Sequence, residues 1–159
     1  MNTLLQRIEP LRRRALAFTS ILQHPLLLLI RLYWGYDFFQ TGLGKLNNLE
    51  RTTEFFQSLD IPFAYQNAIA AGASETVFGV LLMAGLASRL AAVPLIVIMA
   101  VAYATDDREA LMNIISDTEA FVAATPFNHL LASLVILVFG PGALSVDALI
   151  VRFRTPRPR

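Results

Sequence analysis

Four apolar runs separated by polar stretches dominate this chain. They cover about residues 25–43, 66–86, 89–104 and 121–139. At 1.5 Å per residue, the first run is about long enough to cross a hydrocarbon layer of ~30 Å. The pattern therefore predicts an all-α integral membrane protein built as a four-helix bundle of transmembrane spans, with the membrane domain over residues 21–150.

The polar stretches predict two interfacial helices outside the spans. Residues 1–20 place apolar side chains at helical spacing between arginines, which indicates an amphipathic, basic helix on the membrane surface with a break or kink at Pro10. A frayed basic tail is the alternative. Residues 47–60 have an apolar edge and precede Pro62, so they predict a short helix along the outer interface.

The second half of the chain has three further polar features. Acidic side chains make residues 105–119 an exposed loop, and residues 144–153 are expected to form another short interfacial helix. Residues 151–159 are predicted to be a basic cytoplasmic tail, with disorder expected over residues 152–159. These segments leave the four apolar runs as the only spans that the pattern predicts.

Composition narrows the class of protein. Charged residues make up 16% of the chain and hydrophobic residues 55%, whereas a soluble domain usually carries about 25% charged residues. With no cysteine and two histidines, we expect no iron–sulfur cluster, no haem and no metal site. Redox chemistry would need an organic cofactor or a partner subunit. A net charge of +1 gives no signal for nucleic acid.

The positions of lysine and arginine predict the orientation in the membrane. Nine of these residues fall in the N-terminal segment, the turn between the second and third runs, and the C-terminal tail. Three fall on the opposite side, and Arg31 lies within a run. This bias predicts an even number of spans with both termini in the cytoplasm.

Three ionisable residues lie inside the predicted spans: Arg31, Asp37 and Glu75. A charge at mid-bilayer costs about 2.5–3.5 kcal/mol on insertion scales, so each one needs a partner or a function. The depths of Arg31 and Glu75 suggest that they pair between the first two spans. The pair would be a structural ion pair that fixes helix register, or the polar floor of a ligand or proton site. The remaining alternative is that the two residues make no contact.

Both charged faces also carry glycine. At 100° per residue, Gly35 and Gly42 share the face of Arg31, while Gly72 and Gly79 share the face of Glu75. Small residues allow close approach between helices, or between a helix and a ligand. We therefore expect these glycines to pack the helices. They would pack within one chain or between the chains of a homo-oligomer.

Further polar residues are expected near the outer ends of the spans. Lys45, Asn67, Tyr103 and His129 would line one outward-facing pocket, or would serve as ordinary interfacial anchors. Asp37 is expected to face the third or fourth span, or to be protonated in place. Together with Glu75 it would form a pair of carboxylates able to relay protons.

Several motifs in order give the chain a resemblance to a known family. They span about residues 26–150, and their order and spacing resemble the DoxX family of bacterial membrane proteins. The motifs are Arg31-Leu-Tyr-Trp-Gly35, Phe39-Gln-Thr-Gly42-Leu-Gly-Lys45, Ser58-Leu-Asp-Ile-Pro62, Glu75 with Gly79, Gly85-Leu-Ala-Ser-Arg89, Val101-Ala-Tyr-Ala-Thr-Asp106, Phe139-Gly-Pro-Gly142 and Leu144-Ser-Val-Asp147.

The resemblance implies a four-helix protein of the bacterial cytoplasmic (inner) membrane that is linked to quinone-dependent redox systems. The positions that carry over are Arg31, Gly42, Lys45, Glu75, Gly79 and Arg89. Asp37 departs from the pattern, where an uncharged residue is usual.

The expected function is thus that of a quinone-side or accessory subunit of a membrane redox system, a non-catalytic subunit rather than a self-contained oxidoreductase. It would bind a quinone-like amphiphile near the faces of Arg31 and Glu75, and its partners would be the lipid bilayer and redox-enzyme subunits. One alternative is a structural or assembly protein in which this pair only fixes packing. A third is a small-solute or proton carrier.

Overall fold

The structure is a computed structural model that describes the backbone of residues 2–154 and the side chains of Glu9, Arg12, Arg13 and residues 19–153. The described chain is helical throughout its regular elements and has no strand. Its helices are α1 (Asn2–Asn47), α2 (Leu49–Ser58), α3 (Ala64–Ala84), α4 (Ser88–Thr105), α5 (Arg108–Met112), α6 (Thr118–Ala123), α7 (Thr125–Phe139) and α8 (Val146–Arg154).

The first apolar run is part of a much longer helix. The 46 residues of α1 join the predicted surface segment to the first run. A break at Pro10 is therefore wrong, whereas the alternative, a kink there, stays a prediction. A proline removes one backbone donor and crowds the preceding turn, but the hydrogen bonds of the neighbouring turns can carry the helix through. The placement of residues 1–20 on a membrane surface stays a prediction.

The other three apolar runs correspond to α3, α4 and α7. Of the described helices, Ala64–Ala84 and Ser88–Thr105 are long and apolar enough to cross a membrane, and Thr125–Phe139 is a shorter apolar helix. The last begins four residues later than the run, because Ala124 is extended (ψ 141°) and separates it from α6. Pro126 then sits in the first turn of α7, where its missing N–H costs nothing.

Two C-terminal expectations can be compared with α8. The predicted helix over 144–153 is present as Val146–Arg154, although its contact with a membrane stays a prediction. The start of the predicted disordered tail is wrong, since residues up to Arg154 continue this helix. The remaining tail, residues 155–159, lies outside the described part of the chain.

Glycines set the distance between α1 and α3. A Cβ on Gly42 would lie 2.5 Å from the backbone nitrogen of Thr76, and a Cβ on Gly79 would lie 2.7 Å from the carbonyl oxygen of Gly35. Gly72 is similarly confined by Leu46. All four glycines singled out in the sequence therefore lie in one contact between these helices, which lets the two backbones touch.

The remaining packing closes a ring. Helix α3 packs against α4, α4 against α7, and α7 against α1. Fully buried side chains from all four helices form the core: Phe38, Leu82, Leu95 and Ile136. Two ends can then be distinguished. The α2 end is where α1 finishes and α3 begins, and the α8 end holds the α3–α4 turn and residues 140–147.

Candidate functional site

A cavity of about 630 Å³ opens among the helices at the α2 end. Apolar side chains make up most of its wall, and this size lies within the range of sites for small organic ligands. Its apolar lining includes Phe55, Phe56, Leu59, Ile61, Pro94, Val97, Ile98 and Met99. Its polar lining includes Thr41, Lys45, Asn67, Ser74, Glu75, Thr105, Asp106, Asp107, Thr125 and His129.

The strongest polar contact in the wall joins α1 to α3. The Nζ of Lys45 lies 2.5 Å from each carboxylate oxygen of Glu75. The Glu75 side chain is 1% exposed and that of Lys45 is 28% exposed. An ion pair this buried requires good geometry to offset the loss of hydration, and two oxygens on one ammonium supply it.

Glu75 thus pairs with Lys45, and the prediction that it pairs with Arg31 is wrong. Side chains on an α-helix lean toward its N-terminus. Lys45 and Arg31 flank the level of Glu75 on the same face of α1, so Lys45 leans toward the carboxylate and Arg31 leans away from it. Arg31 is fully buried at the α8 end, where Nη2 donates to the carbonyl oxygen of Leu144.

A second polar contact joins α1 to α7. Nε2 of His129 lies 2.8 Å from Oδ2 of Asp37, and Nδ1 lies 3.2 Å from the carbonyl oxygen of Thr125. The rings of Trp34 and Phe38 each meet the imidazole edge-on at 4.9 Å. Asp37 therefore faces α7, the helix of the fourth apolar run, and its partner is a histidine instead of the second carboxylate.

The predicted pocket residues divide between the cavity and its surroundings. Lys45, Asn67 and His129 line it, together with Glu75. Tyr103 does not line it, because its hydroxyl donates to the carbonyl oxygen of Phe121 at 2.8 Å and its ring stacks on the Phe121 ring. The structure thus brings three of the four together and gives Tyr103 a structural contact.

The mouth of the cavity carries two adjacent acids that follow α4. Asp106 and Asp107 both line it. Burial raises the pKa of Asp107, and the neighbouring charge of Asp106 raises it further. With Glu75 already paired to Lys45, this acidic mouth disfavours anionic ligands.

Asp147 is a structural residue that sequence reasoning missed. Its carboxylate accepts from the backbone N–H groups of Ala87 (2.8 Å) and Ser88 (3.3 Å), and its own N–H donates to Gly85. Its charge also acts on Arg31. No local signal marks this contact, because Asp147 lies in the first turn of α8 and accepts from the start of α4, about sixty residues away in sequence.

A glycine is required in this second polar centre. Gly85 ends α3 in the left-handed region (φ 72°), and a Cβ there would collide with Nη1 of Arg31. We call the contacts of Arg31, Gly85, Leu144 and Asp147 the α8-end clip. It lies away from the cavity, since none of these residues lines it.

The described side chains show no group of three His, Cys, Asp or Glu residues that could hold a metal ion. The donors present at the cavity are an ammonium, an imidazole and an amide. In Asn67 the amide nitrogen already donates to the carbonyl oxygen of Pro62. Such a donor set suits a neutral organic ligand with hydrogen-bond acceptors.

Two of these helices are long and apolar enough to cross a bilayer, and the helices enclose an apolar cavity. This is the architecture of a helical membrane protein. More particularly, the chain belongs to the DoxX family, whose model matches residues 26–106. The resemblance drawn from its motifs is confirmed.

Two curated relatives are similar to this chain. An uncharacterised protein of Haemophilus influenzae is 28% identical over 128 residues, which cover 78% of this chain and 82% of that protein. A Bacillus subtilis protein named "Putative oxidoreductase CatD" is 41% identical over 66 residues, which cover 42% of this chain and 48% of that one. No solved structure matches the chain.

Proposed function

We propose that this DoxX protein crosses the bacterial inner membrane four times, through α1, α3, α4 and α7, with both termini in the cytoplasm. The lengths of the apolar runs and the excess of lysine and arginine near the proposed cytoplasmic side support this arrangement. The α2 end then faces outward, so the cavity opens toward the outer half of the bilayer.

In this arrangement the cavity binds a quinone-like amphiphile, and the protein is an accessory, quinone-side subunit of a membrane redox system. The observation that carries the proposal is a polar pair, Lys45 and Glu75, set in the wall of an apolar cavity of about 630 Å³. A quinone ring would pack against Phe55, Phe56 and Met99. Its carbonyl oxygens would accept from the Lys45 ammonium or the His129 imidazole.

The name of the Bacillus subtilis relative is consistent with a redox setting. The acidic mouth also favours a quinone, which is neutral, over an anionic amphiphile. The ligand site moves from the predicted Arg31 face to the Lys45 side of Glu75, because Arg31 is held in the α8-end clip.

The single tryptophan, Trp34, provides a direct binding assay because its ring touches the cavity residue His129. Titration of the purified protein with decylubiquinone should quench its fluorescence saturably. Lys45→Met should weaken binding by about tenfold, as expected when one charge-assisted hydrogen bond of ~1.5 kcal/mol is lost.

Arg51→Met is the matched control, since it removes an exposed cation that does not line the cavity. Quinone extracted from the purified proteins should follow the same order. Equal quenching and equal quinone content in wild type and Lys45→Met would exclude the site.

A structural or assembly role is the second candidate. It is favoured by one observation, that Lys45 occupies both oxygens of Glu75 and so satisfies the pair without a ligand. This candidate predicts that Lys45→Met combined with Glu75→Gln folds and retains all cellular activity. A double variant that folds but loses that activity would exclude a purely structural pair.

A further inference from the structure

The wall of the cavity reaches the lateral surface of the bundle between α3 and α4. Helix α4 carries an exposed stripe of apolar side chains at helical spacing, made up of Leu90, Val93, Val97 and Val101. Only the last two of these residues also line the cavity. Because the other two mark the lateral surface of the bundle, the cavity reaches that surface at Val97 and Val101.

Helix α3 shows the same pattern on the other side of the gap. Ala70, Val77 and Ala84 follow one another at every seventh residue and are all exposed. Of these three, only Ala70 lines the cavity. Further around α3, the wall of the cavity continues through Ser74 to the buried Glu75. The cavity thus extends from the Glu75 carboxylate to the lateral surface of the bundle.

The two sides of this gap lie at the same height. Ala70 is about 9 Å from the start of α3, while Val97 and Val101 are about 12 Å and 6 Å from the end of α4. We call the gap bordered by these three residues the α3–α4 opening, and it lies about 6–12 Å below the α2 end of the bundle. With α3 and α4 as membrane spans, the opening faces the hydrocarbon layer.

The α3–α4 opening differs in chemistry from the acidic mouth. Its alanine and valine side chains carry no polar atom, whereas the mouth carries Asp106 and Asp107. A polar head group in the cavity can therefore reach Lys45 while an apolar chain leaves through the opening into lipid, which is as apolar as the chain. A chain that left through the acidic mouth would enter water, at a cost of about fourfold in affinity for each methylene group.

We propose that the α3–α4 opening is the passage for the apolar chain of the ligand. The cavity then takes long-chain amphiphiles, which bind by the head group inside the bundle and keep the chain in the bilayer. This inference rests on the proposed binding of a quinone-like ligand, and it adds the requirement for a flexible apolar chain. The short side chain of Ala70 keeps the passage open, because a larger group there would project into the gap.

The passage can be closed after the protein has folded, because the chain contains no cysteine. Ala70→Cys is purified, and its thiol is capped with either a small methyl or a bulky benzyl methanethiosulfonate. Ala84→Cys, capped in the same way, is the matched control, since Ala84 lies on the same exposed stripe of α3 and does not line the cavity. Quenching of Trp34 fluorescence gives the affinity for decylubiquinone and for the same quinone ring without its decyl chain. Each ligand is compared across the variants, so its partition into detergent cancels.

The benzyl group on Ala70→Cys should weaken the binding of decylubiquinone by at least about tenfold, as expected when two methylene groups of the chain are forced out of lipid. The affinity for the chain-free ring should not change, and neither ligand should be affected by the methyl cap or by either cap on the control. An unchanged or raised affinity for decylubiquinone, as expected if a phospholipid chain fills the opening, overturns the passage. A loss for the chain-free ring as large as that for decylubiquinone also overturns it, and both results leave the proposed quinone site intact. Wild type that binds neither quinone refutes the proposed function and the passage together.

Discussion

Replacement of Lys45 by methionine isolates the cost of one buried charge. Met keeps most of the apolar stem but removes the ammonium, which leaves the Glu75 carboxylate, 1% exposed, without its partner. An ionised group inside a membrane protein costs about 2.5–3.5 kcal/mol. We therefore expect Lys45→Met to lower the free energy of unfolding by about 3 kcal/mol.

The reverse substitution should cost less. Glu75→Gln leaves a lysine whose side chain is 28% exposed and long enough to carry its ammonium toward the surface. We expect a loss of about 1–2 kcal/mol. Lys45→Met combined with Glu75→Gln should lie within about 1 kcal/mol of wild type, because the double variant leaves no unpaired charge.

Wild type, the two single variants and the double variant form a double-mutant cycle. Their free energies of unfolding can be measured by reversible unfolding in mixed micelles, with increasing SDS as the denaturant and the fluorescence of Trp34 as the signal. Arg51→Met controls for the loss of a cation and should be nearly neutral. A buried pair at this position would be refuted if Lys45→Met were no less stable than Glu75→Gln. It would also be refuted if the losses of the two single variants added up to the loss of the double variant.

Three further predictions use the same unfolding assay. Gly42→Ala should lower the free energy of unfolding by about 1–3 kcal/mol, because its Cβ would lie 2.5 Å from the backbone of α3. In Gly44→Ala the Cβ meets no atom within 4 Å, so this variant should gain up to about 1 kcal/mol from helix propensity. Equal effects of the two substitutions would contradict the close packing at Gly42. Asp147→Ala should lose about 2–3 kcal/mol, since two backbone donors and Arg31 lose their acceptor and counter-charge, and wild-type stability would exclude the α8-end clip. The pKa of Asp107 is raised above its ordinary 3.8, so the folded state loses stability as pH rises from 3.8 through the raised value. Asp107→Asn should therefore be more stable than wild type at neutral pH and equal to it below pH 3.8. A stability difference that does not change with pH would contradict this prediction.

The helices could be predicted because their signals are local. Each apolar run predicts a helix by its own length, and the boundaries of α3 and α4 fall within two residues of the predicted ones. The glycine contact between α1 and α3 was also predictable, since a period of 100° per residue places Gly35 and Gly42 on one face. The unbroken α1 was missed because Pro10 is a strong local signal that the rest of the helix overrides.

The partners of the buried charges could not be predicted from depth and face alone. Lys45 and Arg31 share a face of α1, and both are near enough in height to reach Glu75 when side chains are treated as undirected. The lean of helical side chains toward the N-terminus decides between them. Asp147 was missed for another reason, since its role depends on contact with the α3–α4 turn, about sixty residues away in sequence.

The two polar centres lie at the α8 end and the α2 end of the packed helices and should be separable by mutation. The α8-end clip joins α1, the α3–α4 turn and the start of α8. Arg31 is buried there, donates to a backbone carbonyl and does not line the cavity. Lys45, Glu75 and His129 instead border open space that can hold a ligand. Loss of Asp147 should therefore lower stability and leave the quinone affinity of the folded fraction unchanged. Loss of both the Lys45 and the Glu75 charges should leave stability nearly unchanged and lower the quinone affinity. This difference between the two variants distinguishes a residue that stabilises the fold from one that binds a ligand. The presence of a buried charge does not by itself make that distinction.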